Sequence, residues 1–94
     1  MGKLSYAEIA EIVVRRIKEA REEKIQQGYK PDQYLEWFKR DAVIFDVTSG
    51  TFCHYGGLPD GHGERMIRDG ILRYDRPVYI GRKLHEIRYV LTNP

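Results

Sequence analysis

The sequence predicts an α+β fold, an N-terminal helix hairpin packed on a roughly four-stranded, mainly antiparallel sheet. Three observations carry that reading. Apolar residues recur at three-and-four spacing over residues 5–27, the mark of an amphipathic helix. From Asp41 onward the apolar period changes to two, as in half-buried strands. The main helical patterns come before the strand patterns, an order that segregates helices from sheet instead of interleaving them. The 94 residues are read as a single domain, 1–94.

Ser5 is placed to cap the first helix, and Glu8 three residues on completes a capping box. Leu4 and Ile9 are spaced for a hydrophobic staple. Tyr6, Ile9, Ala10, Val13, Ile17, Ala20 and Lys24 share the expected buried stripe. Glu11 with Arg15, and Lys18 with Glu22, are four apart on the wet face. Gly28 is expected to end the helix in a left-handed cap, and Pro31 forbids its continuation. Pro31 is also a favoured first residue for a second helix over about 31–40, with Asp32 in the positive first turn. Tyr34, Leu35, Trp37 and Phe38 give that helix a large apolar surface, with Trp37 read as core. The link at 28–30 is short enough to make an antiparallel hairpin.

Strands are expected over about 42–48, 51–55, 71–74, 77–80 and 84–91. Ser49-Gly50 reads as a two-residue turn. It would pair Val47 with Phe52, Phe45 with His54, Asp46 with Cys53 and Ile44 with Tyr55. Asp60 is expected to cap a short helix through about 64–68, stopped by Gly70. Asp75-Arg76-Pro77 reads as a turn or bend, because proline cannot donate to a sheet ladder. Gly81-Arg82 is a type II′ signature. On the last strand His85, Ile87, Tyr89 and Leu91 share one face, and Glu86, Arg88 and Val90 the other.

With 41% hydrophobic and 32% charged residues, the chain has the composition of a folded globular protein, not a disordered one. Its longest apolar run, residues 42–45, is far short of the roughly 20 residues of a membrane span. The N-terminus shows no apolar signal-peptide core, so the expected setting is the cytosol, without membrane contact. The single Cys53 excludes an intramolecular disulfide and a cysteine cage for zinc.

A net charge of +2 does not by itself imply nucleic-acid binding. Its distribution is more telling. Residues 41–64 carry four acids and no Lys or Arg, while residues 65–88 carry seven bases, six of them arginine. Arginine forks onto carboxylates and phosphates, so an anionic partner or a set of internal ion pairs is expected there.

The richest stretch is His54 to Arg65, with four of nine glycines and two of three histidines. Glycines let backbone N–H groups converge on an anion, and a following helix adds its positive end. Tyr55, Gly56, Gly57, Gly61, His62 and Gly63 are therefore the expected cradle of a phosphate-bearing ligand. Arg65, Arg68, Arg73 and Arg76 complete the candidate site as clamps. The spacing is neither a P-loop nor a dinucleotide fingerprint.

Other chemistries are weaker readings of the same residues. His54, His62 and Asp60 form a possible metal-ligand set, but without a helical spacing that fixes two ligands, and no metal or cofactor is assigned. His54 on the core side of its strand reads as a hydrogen-bonded structural histidine. His54 and His85 are the candidate bases for a metal-independent ribonuclease, with Glu86, Arg88, Tyr89, Arg73 and Tyr79 nearby. Cys53 and His54 point to opposite faces of a strand, which disfavours a nucleophile pair.

The leading functional expectation is a small binding module for a nucleotide or RNA, with seven tyrosines available to stack bases beside arginines. The alternative is a protein-interaction or inhibitor accessory protein, bacterial or phage, acting as a homo-oligomer. An enzyme is the less favoured class.

Overall fold

A computed structural model describes residues 2–94. Ser5 starts the first helix, α1 (Tyr6–Gln26). Its Oγ accepts from the Glu8 amide at 3.2 Å, and the Glu8 carboxylate accepts from the Ser5 amide at 3.1 Å. The helix buries Ala10, Val13, Ile17, Ala20 and Lys24 along one face. It ends in a Schellman motif around Gly28 at φ 94°. The Gly28 amide donates to the Ile25 carbonyl at 2.9 Å and the Tyr29 amide to that of Lys24 at 3.2 Å. On the wet face the four-apart ion pair is Arg15–Glu19, not the expected Glu11–Arg15 and Lys18–Glu22.

No second helix follows. Residues 31–40 run as a series of turns, and long side chains of α1 are the cause. A helix there would need the Pro31 and Gln33 carbonyls for the amides of Leu35 and Trp37. Arg21 Nη1 instead donates to the Pro31 carbonyl at 3.1 Å, and Lys24 Nζ to the Gln33 carbonyl at 3.0 Å. Only isolated turn bonds remain, such as the Phe38 amide to the Leu35 carbonyl. Phe38 is buried at 2% exposure, whereas Trp37, expected in the core, is 62% exposed.

Four antiparallel strands follow: β1 (Val43–Asp46), β2 (Thr51–Cys53), β3 (Leu72–Ile80) and β4 (Lys83–Leu91). A short helix, α2 (His62–Arg68), lies between β2 and β3. The sheet order is β2-β1-β4-β3, so the last strand in sequence is central. The molecule is thus an α+β protein with α1 and α2 contributing to one core on the sheet.

The first hairpin closes two residues earlier than expected. Asp46 pairs with Thr51 and Phe45 with Phe52, in place of Val47 with Phe52 and Phe45 with His54. The Asp46 carboxylate accepts from the Thr48 amide at 2.9 Å and the Ser49 amide at 3.3 Å, and its carbonyl accepts from Gly50 at 2.8 Å. An aspartate that binds the amides after it makes its own turn, which pulls closure back to Asp46.

The turn or bend expected at Asp75-Arg76-Pro77 does not interrupt the strand. β3 runs through it with register shifts between Tyr74 and Arg76 and between Val78 and Tyr79. Proline is tolerated because β3 is an edge strand, where a missing donor leaves no partner unsatisfied. β2, the other edge, is covered by its own continuation: the Leu58 amide donates to the Phe52 carbonyl at 2.8 Å, and Gly57 bridges Cys53. Both free edges are therefore guarded against strand addition.

The core gathers Ala10, Val13 and Ile17 of α1, Met66 of α2, and Val43, Phe52, Leu72 and Leu91 of the sheet. Full burial of side chains such as Ile17 and Met66 contributes about 1.5–3 kcal/mol each. Gly63 makes the approach of α2 possible, since a Cβ there would lie 2.2 Å from Phe52 Cγ. Asp60 does not cap α2. Gly61 holds that position at φ 81° with no side-chain hydrogen bond.

The opposite face carries a buried ionic chain. Asp41 accepts from Lys24 Nζ at 2.5 Å and from Arg88 Nη2 at 2.7 Å. Arg88 Nε and Arg76 Nε both donate to Asp75 Oδ2 at 3.1 Å. Tyr34 lies beneath the guanidinium groups of Arg76 and Arg88, 4.3 and 5.5 Å from its ring centre. The turn segment is thereby tied to α1, β3 and β4 at once. Among the described residues no helix is long and apolar enough to cross a membrane.

Candidate functional site

At the end of β2 the chain reverses through His54-Tyr55-Gly56-Gly57. The His54 amide donates to the Gly56 carbonyl at 2.8 Å. Both central residues have positive φ, Tyr55 at 55° and Gly56 at 117°. For glycine this is ordinary; for tyrosine it costs on the order of 1–3 kcal/mol. Tyr55 is the non-glycine residue in this region of backbone space among the described residues. Its side chain is 60% exposed, so burial does not offset the strain.

The surroundings of that exposed ring are charged and aromatic. The Arg16 guanidinium sits over it, 5.3 Å from the ring centre. The His54 ring meets it edge-on at 4.7 Å. Arg40 lines a groove with Tyr55, its guanidinium bonded to Glu23 at 2.9 Å and lying over the Phe38 ring at 4.8 Å from the ring centre. The Glu23 hydrogen bond is the main force keeping it firmly protonated. Two open grooves flank the turn, and both His54 and Tyr55 line both of them. One, about 260 Å³, has Ala42, Ile44 and Cys53 along its floor and Lys39, Arg40 and Glu86 at its walls. The other, about 270 Å³, runs between Ile9, Ile12 and Val13 of α1 and Leu58-Pro59.

His54 supports the turn from beneath. It is 7% exposed, and its Nε2 lies 3.0 Å from the Arg40 carbonyl. A carbonyl can only accept, so Nε2 carries the proton and Nδ1 is the bare nitrogen, buried without a partner. Burial is the main force holding its pKa below the usual histidine value, with Arg16 adding to it and the Arg40 carbonyl opposing. The unfolded chain therefore takes up a proton near pH 6.5 that the folded chain refuses until lower pH. Stability is expected to be full above about pH 6.5 and to decline as pH falls below it. Urea midpoints for wild type and His54→Gln at pH 8 and pH 5.5 check this. The wild type is expected to lose more than the variant on acidification, and equal losses would exclude His54 as the cause.

The residues singled out in the sequence fall into three groups in space. Tyr55, Gly56 and Gly57 build the turn just described. Gly61, His62, Gly63 and Arg65 belong to the α2 region on the core side. There Arg65 lies 4.0 Å from the Tyr6 ring centre and pairs with Asp69 at 3.7 Å, and His62 meets the same ring edge-on at 5.4 Å. Arg68 ends α2, exposed. Arg73 and Arg76 lie on β3, at the opposite edge of the sheet from β2. The His54 and His62 amides donate to the loop carbonyls of Gly56 and Pro59, and the Leu58 amide to the Phe52 carbonyl of β2. His85 sits on the β4 face shared with Ile87 and Tyr89, away from Glu86 and Arg88. Glu86 is held by Lys39 at 3.0 Å and Arg88 by the two aspartates. Among the described residues no three of His, Cys, Asp and Glu gather as metal ligands.

Sequence reasoning missed Arg16 and Arg40. Arg16 reads as one more charge on the wet face of a helix, and nothing in its spacing distinguishes it. Arg40 was hidden by the expectation of a helix over 31–40. No family model matches the chain, and no curated protein or solved structure gives a significant match to it.

Proposed function

We propose that the chain is a small binding module for a phosphate-bearing ligand, a nucleotide or single-stranded RNA, with Tyr55 as the stacking platform. Arg16, over the ring, and Arg40, in the groove beside it, hold phosphates. The observation that supports this reading is the exposed Tyr55 held at φ 55° with the Arg16 guanidinium over its ring and Arg40 lining the groove beside it. Strain of this kind persists where something else requires the geometry. An aromatic face beside arginines suits bases, whose π-faces stack irrespective of sequence.

Titration of a labelled single-stranded RNA decamer and of ATP, read by fluorescence anisotropy and calorimetry, tests the assignment. Saturable binding is expected, weakening with salt at a logarithmic slope of about −0.7 per phosphate held. Tyr55→Ala removes a stack worth about 1–3 kcal/mol, a loss of roughly 5- to 150-fold in affinity. Arg16→Ala is expected to weaken binding and make the slope shallower by about 0.7. Tyr55→Gly separates binding from folding, because it relieves the strained φ while removing the ring. That variant is expected to lose the ligand and gain about 1 kcal/mol of stability. Affinity untouched by Tyr55→Ala, or indifferent to salt, would defeat the proposal.

A further inference from the structure

A second basic recess lies beneath the 31–34 turn, between the end of α1 and the second face of β3 and β4. Its volume is about 40 Å³, and Lys24, Arg73, Arg88 and Arg21 line it together with Asp32, Asp41 and Asp75. The carboxylates there are already engaged: Asp41 by Lys24 and Arg88, Asp75 by Arg88 and Arg76, Asp32 by Arg21 at 3.0 Å. Four bases (Arg21, Lys24, Arg73, Arg88) thus meet three acids in the lining, leaving a positive charge uncompensated.

Unspent donors accompany that surplus. Arg88 is 3% exposed and donates through Nε and Nη2. Among the described residues its Nη1 has no acceptor. Lys24 Nζ makes two hydrogen bonds of the three an ammonium can give. Arg73 makes no ion pair among the described residues. A nearly buried guanidinium with a free nitrogen, beside a second arginine without an ion pair, is the arrangement that takes up anionic oxygens bidentately. We propose that this recess binds a dianionic terminal phosphate group, either free phosphate or the end of a phosphomonoester.

Size sets that choice. About 40 Å³ holds roughly three waters, enough for the three free oxygens of a terminal phosphate with its phosphorus at the mouth. An internal diester has two free oxygens and a substituent on each side that the recess has no room to admit. The recess lies toward the β3 edge of the sheet and Tyr55 at the β2 edge, so the two sites are independent.

The test follows the Arg88 Nε–H signal by NMR on the full chain while phosphate is added at pH 7.5 and constant ionic strength. Inorganic phosphate and methyl phosphate are each expected to shift that signal saturably, while dimethyl phosphate leaves it in place. Arg73→Gln carries no ion pair to lose and is expected to fold normally while weakening phosphate at least tenfold. Tyr55→Ala is expected to leave phosphate binding unchanged, which separates this site from the stacking site. A signal that never saturates, full affinity in Arg73→Gln, or dimethyl phosphate binding as tightly as phosphate would each overturn the assignment.

Discussion

Replacing Asp41 with alanine is expected to cost about 3–5 kcal/mol of stability. Asp41 is buried between two cations that are themselves buried, Lys24 and Arg88. Transfer of a charge from water is repaid only while its counter-charge is in contact, so removing one partner leaves the full desolvation cost uncompensated. Here one carboxylate answers two cations; its loss strands Lys24 and leaves Arg88 with Asp75 alone. Lys24→Met is the instructive contrast. It removes a buried charge at similar volume, and Asp41 keeps the Arg88 guanidinium. Its cost is expected to be less than half that of Asp41→Ala. Urea unfolding of the two variants and wild type decides the matter. A loss below 1 kcal/mol for Asp41→Ala would mean that the chain is not buried in solution.

The second large effect comes from the smallest change, Gly63→Ala. An added Cβ would sit 2.2 Å from Phe52 Cγ, 2.5 Å from Cδ2 and 2.7 Å from Cβ. Those atoms belong to a buried ring packed between Phe45 and Tyr89, 4.8 and 5.7 Å away centre to centre. With Phe45 and Tyr89 against the ring, relief of the clash is expected to lift α2 off the sheet. A cost of about 3 kcal/mol is expected, at the upper end for overpacking. Gly57→Ala is the control, with negative φ and nothing near its Cβ; a change within about 0.5 kcal/mol is expected. Phe52→Leu combined with Gly63→Ala should recover part of the loss, since contacting residues couple. Strict additivity of the two would show that the clash is not the cause.

The parts of this fold legible in the sequence are those written in local chemistry. The capping box at Ser5 and Glu8, the stripe from Ala10 to Lys24, and the glycine stop at Gly28 depend only on neighbours along the chain. The strands from Asp41 onward follow from a period of two. What failed depended on residues distant in sequence. Pro31 to Arg40 carries good helix signals, yet Arg21 and Lys24, a turn or more away on α1, take the carbonyls such a helix would use. Pro77 looked like a turn or bend because the sequence does not say which strand is an edge. The Asp46 register slip came from one side chain binding two amides, a local signal that was present and overlooked. The candidate site divides the same way. Tyr55 and its glycines were visible as a furnished loop. Arg16 and Arg40 become its neighbours only once α1 and the 31–41 turns are folded around it.

The placement of β4 between β1 and β3 has a kinetic consequence. Each hairpin, β1–β2 and β3–β4, closes over a few residues and can form in microseconds. The seam that makes one sheet of them pairs Val43–Asp46 with Glu86–Tyr89, across α2 and most of both hairpins. That seam carries the long loop-closure entropy of the fold, and such pairings set the speed of small domains. Assembly is therefore a docking of two quickly made halves, with the search for β1 by β4 as the slow step.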